Sequence, residues 1–240
     1  MYPRKTATAA PRGQDRNGTQ QEGGTMKLTI FGATGGTGTC LTEQALAAGH
    51  VVIAVVRDPT RLTVRPLPPT PASHLQVIAA DVTDPAAIAG AVAAADAVLT
   101  AIGPRGTGVT TVSQDTVRSI IAAMQKTGAR RLLTVSGSIV ADEGESAYLR
   151  LIKPVVRRTF LRHVCADMRA AESEVEATDL EWTIMRPPRL TDGPVTGRYR
   201  TSIDSGIPRS LTVSRADLAA CMLTLIGDPA TVRKHIAVAN

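Results

Sequence analysis

The chain is poor in aromatic residues, which make up 2% of its 240 residues. That excludes the stacking platforms by which many proteins hold bases or sugar rings. A core must then come from Val, Ile, Leu and Ala, a composition that suits strands covered by helices on both faces. Cysteine is scarce as well: Cys40, Cys165 and Cys221 show no metal-ligand spacing and sit in or beside apolar helical patterns. They read as reduced thiols of a cytoplasmic protein, and neither a disulfide framework nor a metal site is expected. No apolar run is long enough to span a bilayer and the N-terminus lacks the apolar stretch of a secretory signal, so membrane insertion is not expected.

Acidic residues are in mild deficit, leaving a formal charge of +6. The excess suits phosphate-bearing partners, but no nucleic-acid-binding motif accompanies it and no nucleic-acid partner is expected. Residues 1–25 are polar, rich in Gly and Thr and almost free of large apolar side chains, so they cannot repay the entropy of ordering and read as a disordered tail. Residues 26–240 read as one domain, a size that buries a sizeable core.

From Met26 onward, short β-branched runs alternate with helical patterns, the signature of parallel βαβ units. Strands are expected at Lys27 to Phe31, Val51 to Val56, Gln76 to Ala80, Ala97 to Ile102, Arg131 to Val135 and Trp182 to Met185. Between them, Leu41, Ala45 and Ala48 share one helical face, and Asp84-Pro85 starts a second helix with a cap and an N1 proline. Val117, Ile120, Ile121 and Met124 trace a third helix closed by Gly128. Residues Arg65 to Pro71 hold four prolines and read as a surface excursion. Residues Ser146 to Thr178 read as helical with a break at Pro154. Ser214 and Asp217 have capping-box-like spacing ahead of Leu218, Cys221, Met222 and Leu225. The fold class expected is α/β, a doubly wound parallel sheet with helices on both faces.

Gly32, Gly35 and Gly38 fall as GxxGxxG between the first strand and the first helix. There, glycine permits a tight turn, lets backbone approach a pyrophosphate and lets helix pack closely on strand, while the helix N-terminus supplies amide donors. The end of the second strand selects the dinucleotide. Where NAD-binding folds place a carboxylate for the ribose 2′-hydroxyl, this chain has Arg57, with Arg61 four residues on. A guanidinium matches the 2′-phosphate of NADP, so NADPH is expected over NADH, while Asp58 keeps NAD binding open. Asp81 ends the third strand, either at the adenine edge or capping the turn before Asp84. Thr100, Ala101, Ile102 and Gly103 end the fourth strand, where a crevice is expected.

The segments "KLTIFGATGGTG", "VVRDPTRL", "DVTD", "VLTAIGP", "VSGS", "LEWTIMRPPRLTDGPVTGRY" and "VSRADLAACML" together resemble the atypical short-chain dehydrogenases of the biliverdin-IXβ reductase and NADPH flavin reductase type, within the NmrA-like superfamily. The resemblance implies a Rossmann-like fold, usually monomeric, with NADPH as cofactor and flavin as substrate. It assigns Gly32, Thr34, Gly35, Gly36, Thr37 and Gly38 to the pyrophosphate, Arg57 and Arg61 to the 2′-phosphate, and Asp81 and Val82 to the adenine. Thr100, Ala101, Ile102 and Gly103 would line the cofactor, and Ser136 would stand beside nicotinamide and substrate as the catalytic residue. Pro187, Pro188, Arg189 and Leu190 would wall the nicotinamide pocket, with Pro188 and Arg189 on the substrate side. Arg189 stands where such reductases can have histidine, and the basic segment Ala147 to Val164 does not match them.

The better-known members of the wider superfamily use a Tyr-xxx-Lys pair, in which lysine lowers the tyrosine pKa for proton transfer. Tyr148 and Lys153 are five apart with Pro154 adjacent, so they do not share a helical face. Alcohol chemistry loses its usual acid, whereas an acceptor that is already electrophilic needs only hydride and good positioning. Arg150, Lys153, Arg157, Arg158 and Arg162 form a basic run that serves either as a solvated face or to attract an anionic substrate or a membrane surface. Two functions follow as expectations: an NADPH-dependent reductase of a free flavin or similar planar conjugated acceptor, such as a quinone or biliverdin-like tetrapyrrole, and a non-catalytic NADP(H)-binding redox sensor of the NmrA-like type.

Overall fold

The computed structural model describes residues 24–64, 69–104, 106–140, 161–209 and 211–240. Most of the expected tail, residues 65–68 of the proline-rich excursion, and residues 141–160, which carry Tyr148, Lys153 and most of the basic run, lie outside the described residues. The strands are β1 (Lys27–Phe31), β2 (Val51–Val56), β3 (Leu75–Ala79), β4 (Ala97–Thr100), β5 (Arg131–Val135), β6 (Glu181–Arg186), β7 (Arg189–Thr191), β8 (Arg200–Ile203), β9 (Thr212–Ser214) and β10 (Lys234–Ala239). The helices are α1 (Gly36–Ala47), α2 (Pro85–Val92), α3 (Val112–Thr127), α4 (Arg162–Glu176) and α5 (Arg215–Leu225).

Eight strands form one sheet in the order β3-β2-β1-β4-β5-β6-β10-β8. All pairings are parallel except β10 with β8. The chain winds outward from β1 in one direction through β2 and β3, then restarts beside β1 at β4 and winds the other way. That reversal separates the loops after β1 and β4 and opens a crevice at their carboxyl ends.

Alternation along the strands sorts the core into two layers. Leu28, Ile30, Val52, Ala54 and Val56 join Leu41, Ala45, Leu218 and Met222 under α1 and α5. Phe31, Ile53, Val55 and Val98 join Ile88, Ile120, Met124 and Val175 under α2, α3 and α4. Buried β-branched runs on both faces are what a doubly wound sheet demands, since neither face meets water.

Several local expectations need correction. Ala48 is exposed, and Leu46 takes the buried place beside Ala45, because the helix turns out of the core ahead of Gly49, whose φ is +81°. β4 stops at Thr100, two residues early, where the chain leaves the sheet for the crevice. β3 is one residue out of register with the expectation and half exposed, as befits an edge strand. Arg61 closes a 3-10 turn, Pro59–Arg61, whose cap is the Asp58 side chain accepting from the Thr60 amide at 3.0 Å. The four-residue spacing from Arg57 to Arg61 therefore runs through a 3-10 turn and not through an α-helix.

Candidate functional site

The glycine turn is built by close approach. Gly32 has φ +85°, and a Cβ there would stand 2.9 Å from Ile102 Cγ1 and 3.1 Å from the Ala101 carbonyl carbon. The loop after β4 thus packs directly against the loop after β1, and the Ala101 amide donates to the Phe31 carbonyl at 3.1 Å. A Cβ on Gly38 would lie 2.0 Å from the Gly32 oxygen, so the first turn of α1 presses on the glycine turn itself. Gly35 caps α1 without any side-chain hydrogen bond, and the first turn carries no acidic residue. The positive end of α1 therefore faces the crevice uncompensated. A cradle too tight for side chains, beneath an uncapped helix N-terminus, fits a phosphate-bearing cofactor.

Around this turn, Thr34, Gly35 and Gly32 are half-buried, Gly36 is exposed, and Thr37 and Gly38 are buried. Arg57 and Arg61 are exposed beyond the end of β2. Asp81 is exposed too, and its Oδ1 accepts from the Thr83 amide at 3.0 Å and the Thr83 hydroxyl at 2.8 Å. Those bonds, with the Arg57 charge helping, hold its carboxyl below the usual range despite some desolvation, so Asp81 shapes the turn before Asp84 and also neighbours Arg57. Val82 is 9% exposed and belongs to the core under α2 and α3.

A cleft beside the crevice brings together residues far apart in sequence. It is lined by Thr100 at the end of β4 and Ile102 after it, Ser113, Thr116 and Val117 from α3, Thr134 and Val135 of β5 with Ser136 just beyond, and Met168, Ala171 and Glu172 of α4. Two buried carboxylates hold its walls. Asp167 of α4 accepts from the amides of Ser113 and Gln114, both at 3.0 Å, capping α3 from the neighbouring helix. Glu172 accepts from Arg186 Nε at 3.1 Å and Nη2 at 2.7 Å, a bidentate pair that ties α4 to the end of β6. The Ser136 amide donates to the Met185 carbonyl at 2.8 Å, and the Ser136 Oγ is buried without a hydrogen-bond partner. A buried hydroxyl left unpaired costs free energy unless something else supplies the bond.

Pro187 to Leu190 follow β6. Pro187 is buried and its carbonyl accepts from the Ser138 amide at 2.7 Å. Pro188 and Leu190 are half-buried, Arg189 is exposed, and none of the four lines the cleft with Ser136.

Asp217 fixes the segment that follows β7. Its side chain does not reach back to the Ser214 amide as a full capping box would; that amide donates to Asn240 Oδ1 at 2.9 Å. Instead Asp217 accepts from the amides of Thr196 at 2.7 Å and Gly197 at 3.0 Å, and from the Asn240 side chain at 2.8 Å. Burial pushes its carboxyl up, but these hydrogen bonds outweigh that and hold it down at about 2.

Sequence reasoning passed over Arg215, the first residue of α5, whose side chain lies across the glycine turn. A Cβ on Gly36 would stand 2.7 Å from Arg215 Cδ and 2.9 Å from its Nε. A signal was present: a basic residue directly after the cap Ser214 opposes the helix dipole, so its side chain has reason to lean elsewhere. The described tyrosine, Tyr199, packs against the α1 and α5 core, and burial, with Cys221 beside it, raises its phenol to about 12. It is no substitute for a catalytic tyrosine of lowered pKa. Among the described residues no helix is long and apolar enough to cross a membrane.

Known proteins are similar to this chain in sequence or in fold. The chain is 27% identical over 224 residues to the UPF0659 protein YMR090W of Saccharomyces cerevisiae, covering 90% of this chain and 93% of that one. It is 34% identical over 133 residues to the nitrogen metabolite regulation-like protein bik4 of Gibberella fujikuroi, covering 53% of this chain and 38% of that one. A short-chain dehydrogenase/reductase of Veillonella parvula, solved in complex with NADP, superposes with a TM-score of 0.74 at 20% identity, over 90% of this chain and 94% of that one. The NAD(P)H-binding family matches residues 32–229, from the glycine turn to the turn before β10. The chain belongs to that NAD(P)H-binding family.

Proposed function

We propose that the protein is an NADPH-dependent reductase that passes hydride to a free flavin or a similar planar conjugated acceptor such as a quinone or a biliverdin-like tetrapyrrole. The observation that carries this reading is the buried, unpartnered Ser136 Oγ at the carboxyl end of β5, in the cleft beside the glycine turn. Bound at the turn, NADPH supplies the hydride. The chain's own groups then have defined tasks. The turn Gly32 to Gly38 and the N-terminus of α1 hold the pyrophosphate, and Arg57 and Arg61 hold the 2′-phosphate. Thr100 to Gly103 bound the cofactor at the crevice, Ser136 orients the carboxamide or the acceptor by its free hydroxyl, and Pro187 to Leu190, which lie outside the cleft that Ser136 lines, wall the nicotinamide from the segment after β6.

The tyrosine among the described residues, Tyr199, has its phenol raised rather than lowered, which favours an acceptor that takes its proton from water or a hydroxyl over a ketone. Steady-state assays with NADPH against FMN, FAD, quinones, a linear tetrapyrrole and simple ketones test this. Turnover is expected with at least one conjugated acceptor and not with the ketones; turnover confined to ketones would overturn it.

Cofactor choice gives a sharper readout. Arg57→Glu replaces a guanidinium that suits a phosphate with a carboxylate that suits a ribose hydroxyl. It is expected to weaken NADPH binding by about 100-fold, the loss of a charge-assisted contact plus new repulsion, while NADH binding changes little. Equal effects on both dinucleotides in calorimetric titration would remove the assignment.

A second reading is favoured by the likeness to bik4, named as a nitrogen metabolite regulation-like protein: an NADP(H)-binding sensor that acts on a partner without catalysis. It predicts a partner retained in an NADP(H)-dependent way and no reduction of any acceptor.

A further inference from the structure

Positive features converge at Gly36 with little to balance them. The uncapped N-terminus of α1 points there. α5 packs on α1 further along the helix, where Gln44 Nε2 donates to the Ala216 carbonyl at 2.9 Å, and the Arg215 side chain reaches from there to Gly36. The acidic residue in the first turn of α5, Asp217, spends its carboxylate on Thr196, Gly197 and Asn240. The Arg215 guanidinium is added at the same place, its side chain lying against the space a Cβ on Gly36 would take. Its ion-pair partner is Asp192, which Nη1 meets at 2.5 Å and whose side chain is 92% exposed.

An ion pair with so exposed a carboxylate contributes little and is readily exchanged. The uncapped N-terminus of α1 with a guanidinium side chain lying over it, by contrast, forms a strong anion site. We infer that Arg215 is a phosphate clamp: it closes over the dinucleotide pyrophosphate from the side opposite the glycine turn, exchanging Asp192 for the phosphate oxygens. Gly36 then has a purpose different from that of Gly32 and Gly38. Its missing side chain makes room for the arginine as well as for the ligand. Asp192, on the segment after β7 that Asp217 anchors, competes with the phosphate for the guanidinium.

The inference rests on the cofactor site proposed above, and its test separates the two. Dissociation constants are measured by calorimetry for NADP⁺, NAD⁺ and 2′-AMP, which has the 2′-phosphate but no pyrophosphate. Arg215→Ala is expected to weaken NADP⁺ and NAD⁺ by a similar factor, about 10- to 100-fold for a lost charged hydrogen bond, and to leave 2′-AMP unchanged. Arg57→Glu gives the opposite pattern, losing 2′-AMP and sparing NAD⁺. Asp192→Asn, at an exposed position that tolerates change, is expected to tighten both dinucleotides a few-fold by freeing the guanidinium, and it serves as the test should Arg215→Ala fold poorly. Unchanged dinucleotide binding in Arg215→Ala, or unchanged or weaker binding in Asp192→Asn, overturns the clamp and leaves the glycine-turn site standing. A wild-type protein that binds neither dinucleotide overturns both.

Discussion

Gly38→Ala is expected to cost about 3 kcal/mol of stability, at the upper end for an overpacked site, and to reduce NADPH affinity by at least ~100-fold. The reason is local and steric. The added methyl would sit 2.0 Å from the Gly32 oxygen, 2.6 Å from its carbonyl carbon and 2.9 Å from the Ala33 Cα. All three are backbone atoms, so no rotamer change relieves the contact. Either α1 moves off β1, which opens the core around Leu41 and Ala45, or the glycine turn deforms, which destroys the cradle. Both routes damage folding and binding together. A thermal unfolding midpoint lowered by roughly 10 °C, taking the usual few degrees per kcal/mol for a domain of this size, checks the first part. Gly90→Ala is the control: Gly90 lies in α2 with nothing within 4 Å of an added Cβ, and alanine there is expected to stabilise by about 0.5–1 kcal/mol. A Gly38→Ala protein as stable as the wild type would show that the turn is slack.

The second large effect is expected far from the cleft. Arg131 begins β5 at the amino end of the sheet and is 7% exposed. Its Nε donates to the Ile226 carbonyl at 2.9 Å, Nη1 to the Glu181 carbonyl at 2.7 Å and the Thr183 hydroxyl at 2.8 Å, and Nη2 to the Leu225 carbonyl at 2.7 Å and the Thr231 hydroxyl at 3.1 Å. One guanidinium thus serves the end of α5, β6 and the turn that leads into β10. Burial draws its pKa down to about 10, against the pull of Glu181 and Asp228, so it keeps its charge at neutral pH. Arg131→Met fills similar space but leaves those acceptors without a donor. The expected loss is about 3–5 kcal/mol, the usual cost of breaking a buried charged network. NADPH affinity of the folded fraction should stay near the wild-type value, because the crevice opens at the opposite end of the sheet. A loss below about 1 kcal/mol in urea unfolding would mean that water replaces the guanidinium.

The difference between these two sites also explains what could be read in advance. Gly38 was legible because its partners are Gly32 and Ala33, a few residues away, and because glycine spacing between a strand and a helix has few physical uses. The inner strands were legible for a similar reason, since burial on both faces forces unbroken apolar runs such as Val51 to Val56. Arg131 carried no such mark. Its partners lie between 50 and 100 positions along the chain, so its role exists only once the sheet has closed. The same holds for Asp167, whose spacing says helix surface and whose carboxylate caps a different helix. Asp217 was half legible: the Ser214 cap on its amide is present at 2.9 Å, but its side chain answers to Thr196 and Gly197. The place of Arg57 just past β2 was legible in the sequence, while that of the Arg215 side chain over Gly36 required the packing of α5 on α1.

The proposed activity is hydride transfer from NADPH to a conjugated acceptor beside Ser136. Anaerobic single-turnover mixing of the protein with NADPH and oxidised FMN or FAD tests it most directly. The account predicts bleaching of the flavin with one equivalent of NADP⁺ formed per flavin reduced, and a slower rate when the transferred hydrogen of NADPH is deuterium. Tight NADPH binding with no bleaching of flavin, quinone or tetrapyrrole would contradict it and leave the sensor reading in its place.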